Sequence, residues 1–314
     1  MTTDTPFSVV TSVYKNDNPT FVKEAFDSML TLQTIKPTEI VLVVDGPISL
    51  ELKTLINTYC LNYSSIFNPI FLEENKGLGN ALRIGVAKAK YNYIARMDSD
   101  DICTPNRFEQ QLSYMLKHPE IDIVGGHIEE FINHPKNVVG HRIVSLKNED
   151  IYHRLKFRCP FNHMTVMFKK DVIINIGNYL DWHYNEDYYL WIRMALANCK
   201  FANLDQTLCY VRVGKEMYQR RGKRIRRMPP NLKWQKVPRV KRIRRMPPKQ
   251  KLKRNISLMQ VPKNHARKMK PHVMQTWKMP PRELLQIIRK RRRILKKILT
   301  AMPVNDKCTI TPLR

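Results

Sequence analysis

The chain has 314 residues, 43% of them hydrophobic and 26% charged. That length suits one large domain or two of roughly 100–200 residues each. The composition excludes a wholly disordered chain and a multi-span membrane protein, and a chain of this size needs no disulfide or metal staple to hold a core. The formal net charge of +28 is unevenly spread: residues 1–220 hold 24 Lys and Arg against 25 Asp and Glu, and residues 221–314 hold 31 against 2. An inference from basicity to nucleic acid therefore applies to the C-terminal stretch alone.

The first hundred residues alternate strand and helix signals. FSVVTSVY (7–14) is a β-branched run, followed by the helical pattern PTFVKEAFDSMLTLQ (19–33), with Asn18 as cap and Pro19 at the first helical position. EIVLVVDG (39–46) is nearly continuous in apolar residues, as befits a strand buried on both faces of a parallel sheet. ISLELKTLINTYCL (48–61) is helical in period, PIFLEE (69–74) a short strand, GLGNALRIGVAKAK (77–90) a glycine-led helix and YNYIARM (91–97) another strand. This pitch predicts βαβ units and a doubly wound α/β domain. RFEQQLSYMLKH (107–118) and NEDYYLWIRMALANC (185–199) read as helices, and IDIVGGHIEEF (121–131), HMTVMFKK (163–170) and TLCYVRVG (207–214) as strands of the same domain.

The six cysteines, at 60, 103, 159, 199, 209 and 308, have neither CxxC nor zinc-finger spacing and read as thiols in a reducing compartment. The N-terminal MTTDTPFSVV shows no basic segment followed by an apolar one, and no apolar run reaches about 18–20 residues. The expectation is a cytoplasmic protein, or one peripheral on the inner face of the cytoplasmic membrane.

In doubly wound sheets ligands bind beyond the carboxyl ends of the strands, so the polar residues there carry the argument. RMDSDD (96–101) crowds carboxylates directly after a strand. They repel one another unless a cation sits among them, which points to Mg²⁺ or Mn²⁺ shared with a substrate phosphate. Read alone, the same run is more often a helix-capping cluster before Ile102 than a metal site. Asp45 ends another strand and could accept a hydrogen bond from a base or ribose, although Asp-Gly is also a plain turn dipeptide. NKGLGNALR (75–83) opens a helix with two glycines beside Lys76 and Arg83, a start that suits an anion.

Taken together, FSVVTSVYKND, EIVLVVDGP, NKGLGNALRIGVAKA, YIARMDSDD and NEDYYLWIRM resemble the family-2 glycosyltransferases of the GT-A fold, and within them the bacterial enzymes that build surface polysaccharide or lipooligosaccharide. The resemblance runs from about Phe7 to about Arg221. It implies an α/β domain over residues 1–220 with a mostly parallel sheet flanked by helices. It also implies an inverting, metal-dependent transfer of a hexose from a UDP-sugar to a surface-glycan or lipid-linked glycan acceptor. By the same resemblance Asp98 and Asp100 hold Mn²⁺ or Mg²⁺, with Asp98 also on the ribose or sugar side. Asp45 meets the base, Ser12 and Tyr14 line the donor pocket, and Arg83 lies near the donor. Glu186 and Asp187 form the catalytic pair, with Asp187 as base, while His163 and Trp191 face the acceptor. Read alone, Glu186 and Asp187 are dipole-favouring carboxylates at a helix start, and Trp191 is a core residue. The chemistry needs one carboxylate to take the acceptor proton and one cation at the departing diphosphate, which two separate acidic sites supply.

The resemblance ends where the composition breaks. Residues 221–281 are basic and rich in Pro and Met, with KRIRRMPP repeated at 223–230 and 241–248, and are expected not to pack. Residues 282–302 place Leu284, Ile287, Ile288, Ile294, Leu295, Ile298 and Met302 on one helical face with Arg and Lys opposite, a basic amphipathic helix. An anionic membrane surface and an aberrant terminus are the leading readings of this stretch, with nucleic acid below them. A sugar nucleotidyltransferase, or a non-enzymatic binder acting through the basic stretch, are the alternatives to the transferase.

Overall fold

The structure is a computed structural model that describes residues 4–182 and 185–214. Four strands, β1 (Phe7–Val13), β2 (Glu39–Val44), β3 (Phe67–Phe71) and β4 (Tyr93–Arg96), alternate with helices α1 (Pro19–Leu30), α2 (Leu50–Asn62) and α3 (Leu78–Lys88). They pair in the order β3-β2-β1-β4, all parallel, with β1 held between β2 and β4. The carboxyl ends of β1, β2 and β4 therefore open on one edge, and the loops that follow them share it.

The second half follows as β5 (Ile102–Cys103), α4 (Arg107–Lys117), β6 (Ile123–Phe131), β7 (Val138–Arg142), α5 (Asn148–Arg154), β8 (Met167–Lys169), α6 (Lys170–Asn175), α7 (Glu186–Leu196) and β9 (Phe201–Arg212). It extends the same sheet in the order β4-β8-β6-β9-β5, with β7 on β6. Here the expected mostly parallel sheet is corrected to a mixed one. β8 runs antiparallel to both β4 and β6, β7 is antiparallel to β6 and β5 to β9, while β6 and β9 are parallel. The reason is connectivity. β6 returns to β7 through a short turn, with Asn133 at φ 62°, and a short turn joins only antiparallel neighbours.

All six residues of β2 are buried, as the apolar run predicts. The acidic member, Glu39, is buried because Ser8 Oγ and the Lys90 amide each donate to it at 2.7 Å. Asn18 caps α1 by accepting from the Thr20 amide at 2.9 Å, and Pro19 stands at the first turn. The inner face of α1 delivers Phe26 onto Tyr59 and Phe67, with ring centroids 5.1 Å apart in both pairs. α3 lies close on the sheet at Gly85, where a Cβ would meet Val10 Cγ1 at 2.6 Å and Val43 Cγ2 at 3.3 Å. Among the described residues no helix is long and apolar enough to cross a membrane. The expectations for residues 221–281 and for the helix at 282–302 lie outside the described residues.

Gly85→Ala should lower stability by about 1–3 kcal/mol in urea unfolding despite the better helix propensity of alanine, because Val10 sits in the central strand and cannot yield. An unchanged midpoint would contradict this close packing.

Candidate active site

The loop Asp98–Asp101 leaves the carboxyl end of β4 and is held by three residues, Arg96, Asp17 and Arg212. Arg96, 2% exposed at the end of β4, forms an ion pair with Asp98. Burial works against the Arg96 charge, but the Asp98 carboxylate outweighs it and raises its pKa above the usual arginine value. Ser99 Oγ donates to Asp17 at 2.9 Å, and the same Asp17 oxygen accepts from the Tyr14 amide at 3.1 Å, which joins this loop to the one after β1. Asp101 is buried and accepts from the Arg212 amide at 2.9 Å. Arg212 Nε also donates to the Asp100 carbonyl at 3.2 Å, and its guanidinium lies 3.9 Å from the centroid of Phe21 and 4.7 Å from that of Phe131. It also pairs with Glu24 of α1.

The carboxylates feel one another. Burial pushes Asp17 up to about 6 against its two hydrogen bonds, with the Asp98 charge adding to the rise. Asp100 is raised to about 6 by the protein packed around its carboxyl group and by the charges of Asp98 and Asp17. Asp101 stands well above the usual carboxylate range through burial and then Asp100 and Asp98. Such crowding favours a positive ligand. Among the described residues no three His, Cys, Asp or Glu side chains form a ready metal cage. The oxygen-only donors Asp98 and Asp100 nonetheless fit a hard cation such as Mg²⁺, which takes one or two carboxylates and completes its shell from water and substrate phosphate.

Asp45, at the end of β2, is 4% exposed and accepts from the amides of Lys76 at 2.7 Å and Gly77 at 2.9 Å. Both of its oxygens therefore hold the turn that starts α3. Gly77 takes φ 83° there, and Gly79 allows close approach, since a Cβ on it would meet the Leu180 carbonyl at 3.1 Å and Glu186 Cβ at 3.2 Å. The glycine turn thus abuts the start of α7. Ser12 and Tyr14 lie at the same edge, half-buried and exposed respectively. Arg83 is exposed on α3, and its carbonyl accepts from Asn178 Nδ2 at 2.9 Å.

Glu186 is 8% exposed, and its pKa is raised by burial and by the charges of Asp187 and Asp98, while Arg96 pulls it down. Asp187 is half-buried, with Cys159 Sγ 3.5 Å from its Oδ2. Tyr179, fully buried, feels Arg96, Asp187, Glu186 and Asp98 together. The two acidic clusters, far apart in sequence, meet around Arg96 and Tyr179. His163 Nε2 shares a 2.9 Å hydrogen bond with the Tyr179 hydroxyl, and burial and then Arg96 hold its pKa well below the ordinary histidine value, so the ring is neutral at pH 7. Trp191, expected at the acceptor, is 0% exposed, with ring centroids 5.4 Å from Phe161 and 6.0 Å from His163. A side chain without surface offers no face to a sugar, so Trp191 is corrected to a core residue beneath the site.

The sequence pattern gave no individual role to Arg96, Asp17, Asp101, Tyr179 or Arg212. Arg96 and Asp101 do stand in the motif, Asp17 among the polar residues after the first strand, and an arginine ending a buried strand is a signal that its charge needs a partner.

Because Asp17 titrates higher folded than unfolded, its ionisation opposes folding. The protein loses stability as pH rises through about 6 and regains it as pH falls toward the unfolded carboxylate value. In EDTA at pH 7.5, Asp17→Asn should therefore raise the thermal midpoint by about 2–4 °C, a gain that shrinks as the pH is lowered to about 4. A lower midpoint at pH 7.5 would contradict the crowding described above.

Residues 8–177 match the profile of the family described as Glycosyl transferase family 2. An uncharacterized glycosyltransferase of Haemophilus influenzae is 41% identical over 215 residues, 68% of this chain and 79% of that protein. The amylovoran biosynthesis glycosyltransferase AmsE of Erwinia amylovora is 41% identical over the same shares. An Escherichia coli UDP-Gal:alpha-D-GlcNAc-diphosphoundecaprenol beta-1,3-galactosyltransferase is 36% identical over 71% of this chain and 80% of its own length. Among solved structures, S. aureus TarS 1–349 in complex with UDP-GlcNAc superposes with a TM-score of 0.53 at 16% identity, covering 67% of this chain and 59% of that one, a likeness of fold. With a family profile spanning more than half of the chain and relatives of this identity over two-thirds of it, the chain belongs to the family-2 glycosyltransferases.

Proposed function

We propose that this glycosyltransferase moves a hexose from a UDP-sugar to a bacterial surface-glycan acceptor, lipid-linked or polymeric, in one inverting displacement at the anomeric carbon. The observation that carries the reading is that the Arg96–Asp98 pair bears on Glu186, and that both, with Glu186 and Asp187, bear on the buried Tyr179. Two relatives support it: the E. coli galactosyltransferase is named for a UDP-Gal donor and a diphosphoundecaprenol acceptor, and AmsE for amylovoran biosynthesis.

In this reading Asp45 meets the base while anchoring the glycine turn, Ser12 and Tyr14 line the donor pocket, and Arg83 stands at its rim. Asp98 holds the ribose or sugar side. When bound by Asp98 and Asp100, Mg²⁺ or Mn²⁺ supplies positive charge to the departing diphosphate. Asp187 takes the proton from the acceptor hydroxyl as that oxygen attacks. Glu186, buried beside it, orients the start of α7, and neutral His163 with Tyr179 forms the wall on the acceptor side. Arg96 holds Asp98 in place through their ion pair. Family membership sets aside the nucleotidyltransferase reading, and the basic C-terminal stretch is assigned within this proposal to an anionic membrane surface.

The test is UDP release from a panel of UDP-sugars, with and without Mn²⁺. Asp187→Asn should lower kcat by about 10²–10⁴-fold while leaving UDP affinity unchanged. Asp100→Ala should abolish the effect of the metal on UDP affinity. Full activity in Asp187→Asn would sink the assignment of the base.

A further inference from the structure

A cavity of about 380 Å³ is lined by Ser145, Asp150, His153, Arg154, Phe157 and Arg158. Arg154 ends α5, and the Arg158 amide donates to its carbonyl at 3.0 Å, so successive turns bring both guanidinium groups to one cavity. Neither guanidinium makes an ion pair or hydrogen bond with another described residue, the wall carboxylate Asp150 included. Phe157 is 73% exposed and stands 5.4 Å, ring to ring, from His153, while Ile143, two residues before Ser145 in the chain, is 68% exposed.

This wall is sewn to the candidate base. The Tyr188 hydroxyl donates to the Leu155 carbonyl at 2.7 Å, and Cys159 Sγ approaches Asp187. Residues 153–158, HRLKFR, hold three constant cations and no acid within a domain that is otherwise near neutrality. The helix dipole accounts for His153 and Arg154 in the last turn of α5, but not for Lys156 and Arg158 beyond it. In the reading above the donor's diphosphate lies at the Asp98–Asp101 loop, so the arginines of this cavity are left for a different anion. Unpaired arginines recognise phosphate oxygens with charge-assisted hydrogen bonds, and an exposed phenylalanine beside them suits an apolar chain attached to that phosphate.

We propose that this cavity binds a phosphate or diphosphate group carried by the acceptor, with the apolar chain attached to it lying against Phe157. The assignment rests on the transferase reading above, because it places the acceptor's anion on the segment that touches the base.

The experiment is calorimetric titration of dodecyl diphosphate into the full chain, with Mg²⁺ and saturating UDP so that the donor site is occupied. Arg154→Gln combined with Arg158→Gln should weaken dodecyl diphosphate by at least about tenfold and leave UDP affinity and the thermal midpoint unchanged. Phe157→Ala should weaken dodecyl diphosphate but not inorganic pyrophosphate. Unchanged affinity in the double variant overturns the proposal, as does an equal loss of UDP affinity. Loss of binding to phosphatidylglycerol vesicles with dodecyl diphosphate unaffected also overturns it, since the cavity would then serve a lipid headgroup. Failure of the unaltered chain to bind UDP in a metal-dependent way tells against the transferase reading instead, and the dodecyl diphosphate arm still reads the cavity on its own.

Discussion

The ion pair between Arg96 and Asp98 is the interaction on which the site depends. Burying a guanidinium at 2% exposure is costly, and the Asp98 carboxylate beside it offsets that cost while Arg96 anchors the loop that Asp98 begins. The charge of Arg96 reaches further than its partner: it favours the ionised form of Glu186 and helps to keep His163 neutral. One buried side chain therefore influences titratable groups on two separate elements, α7 and the segment before β8.

Around that pair the loop is clamped by contacts from unrelated parts of the chain. Asp17 binds it from the loop after β1, and Arg212 binds it from the last described strand, reaching across Phe21 and Phe131 to Glu24. Two of the clamping carboxylates, Asp17 and Asp101, are held above their ordinary pKa. The fold thus maintains a concentration of negative charge that opposes its own stability, an arrangement found where a site awaits a cationic partner. The glycines serve the same end: Gly77 turns the chain where Asp45 can cap it, and Gly79 lets Glu186 come close.

The βαβ half was legible because its signals are local and redundant. EIVLVV is apolar at nearly every position, and α1 carries its own cap and proline. The site motifs were legible because they sit at strand ends, where this architecture places ligands. The mixed character of the second half was hidden. β5 has only two residues, and its partner on β9 is Cys209 with Tyr210, over a hundred positions along the chain. β7 has no fully buried residue and so no apolar run to reveal it. For Trp191 the residue chemistry alone pointed to the core and the resemblance to the acceptor, because neither shows which way its helix turns. Burial of its face against Phe161 decided that.

By itself, then, the sequence determined the α/β class, the parallel start and the acidic residues at the strand ends, since each follows from periodicity and residue chemistry within a few positions. Only the tertiary structure decided which of those acids meet. It brought Asp98 to Glu186 around Arg96, committed both oxygens of Asp45 to the glycine turn and removed Trp191 from the surface. It also tied the segment that carries Arg154 and Arg158 to the start of α7, through Leu155 on Tyr188 and Cys159 on Asp187. These are contacts between residues distant along the chain, and long-range pairing is chosen by packing and electrostatics, to which local pattern is blind.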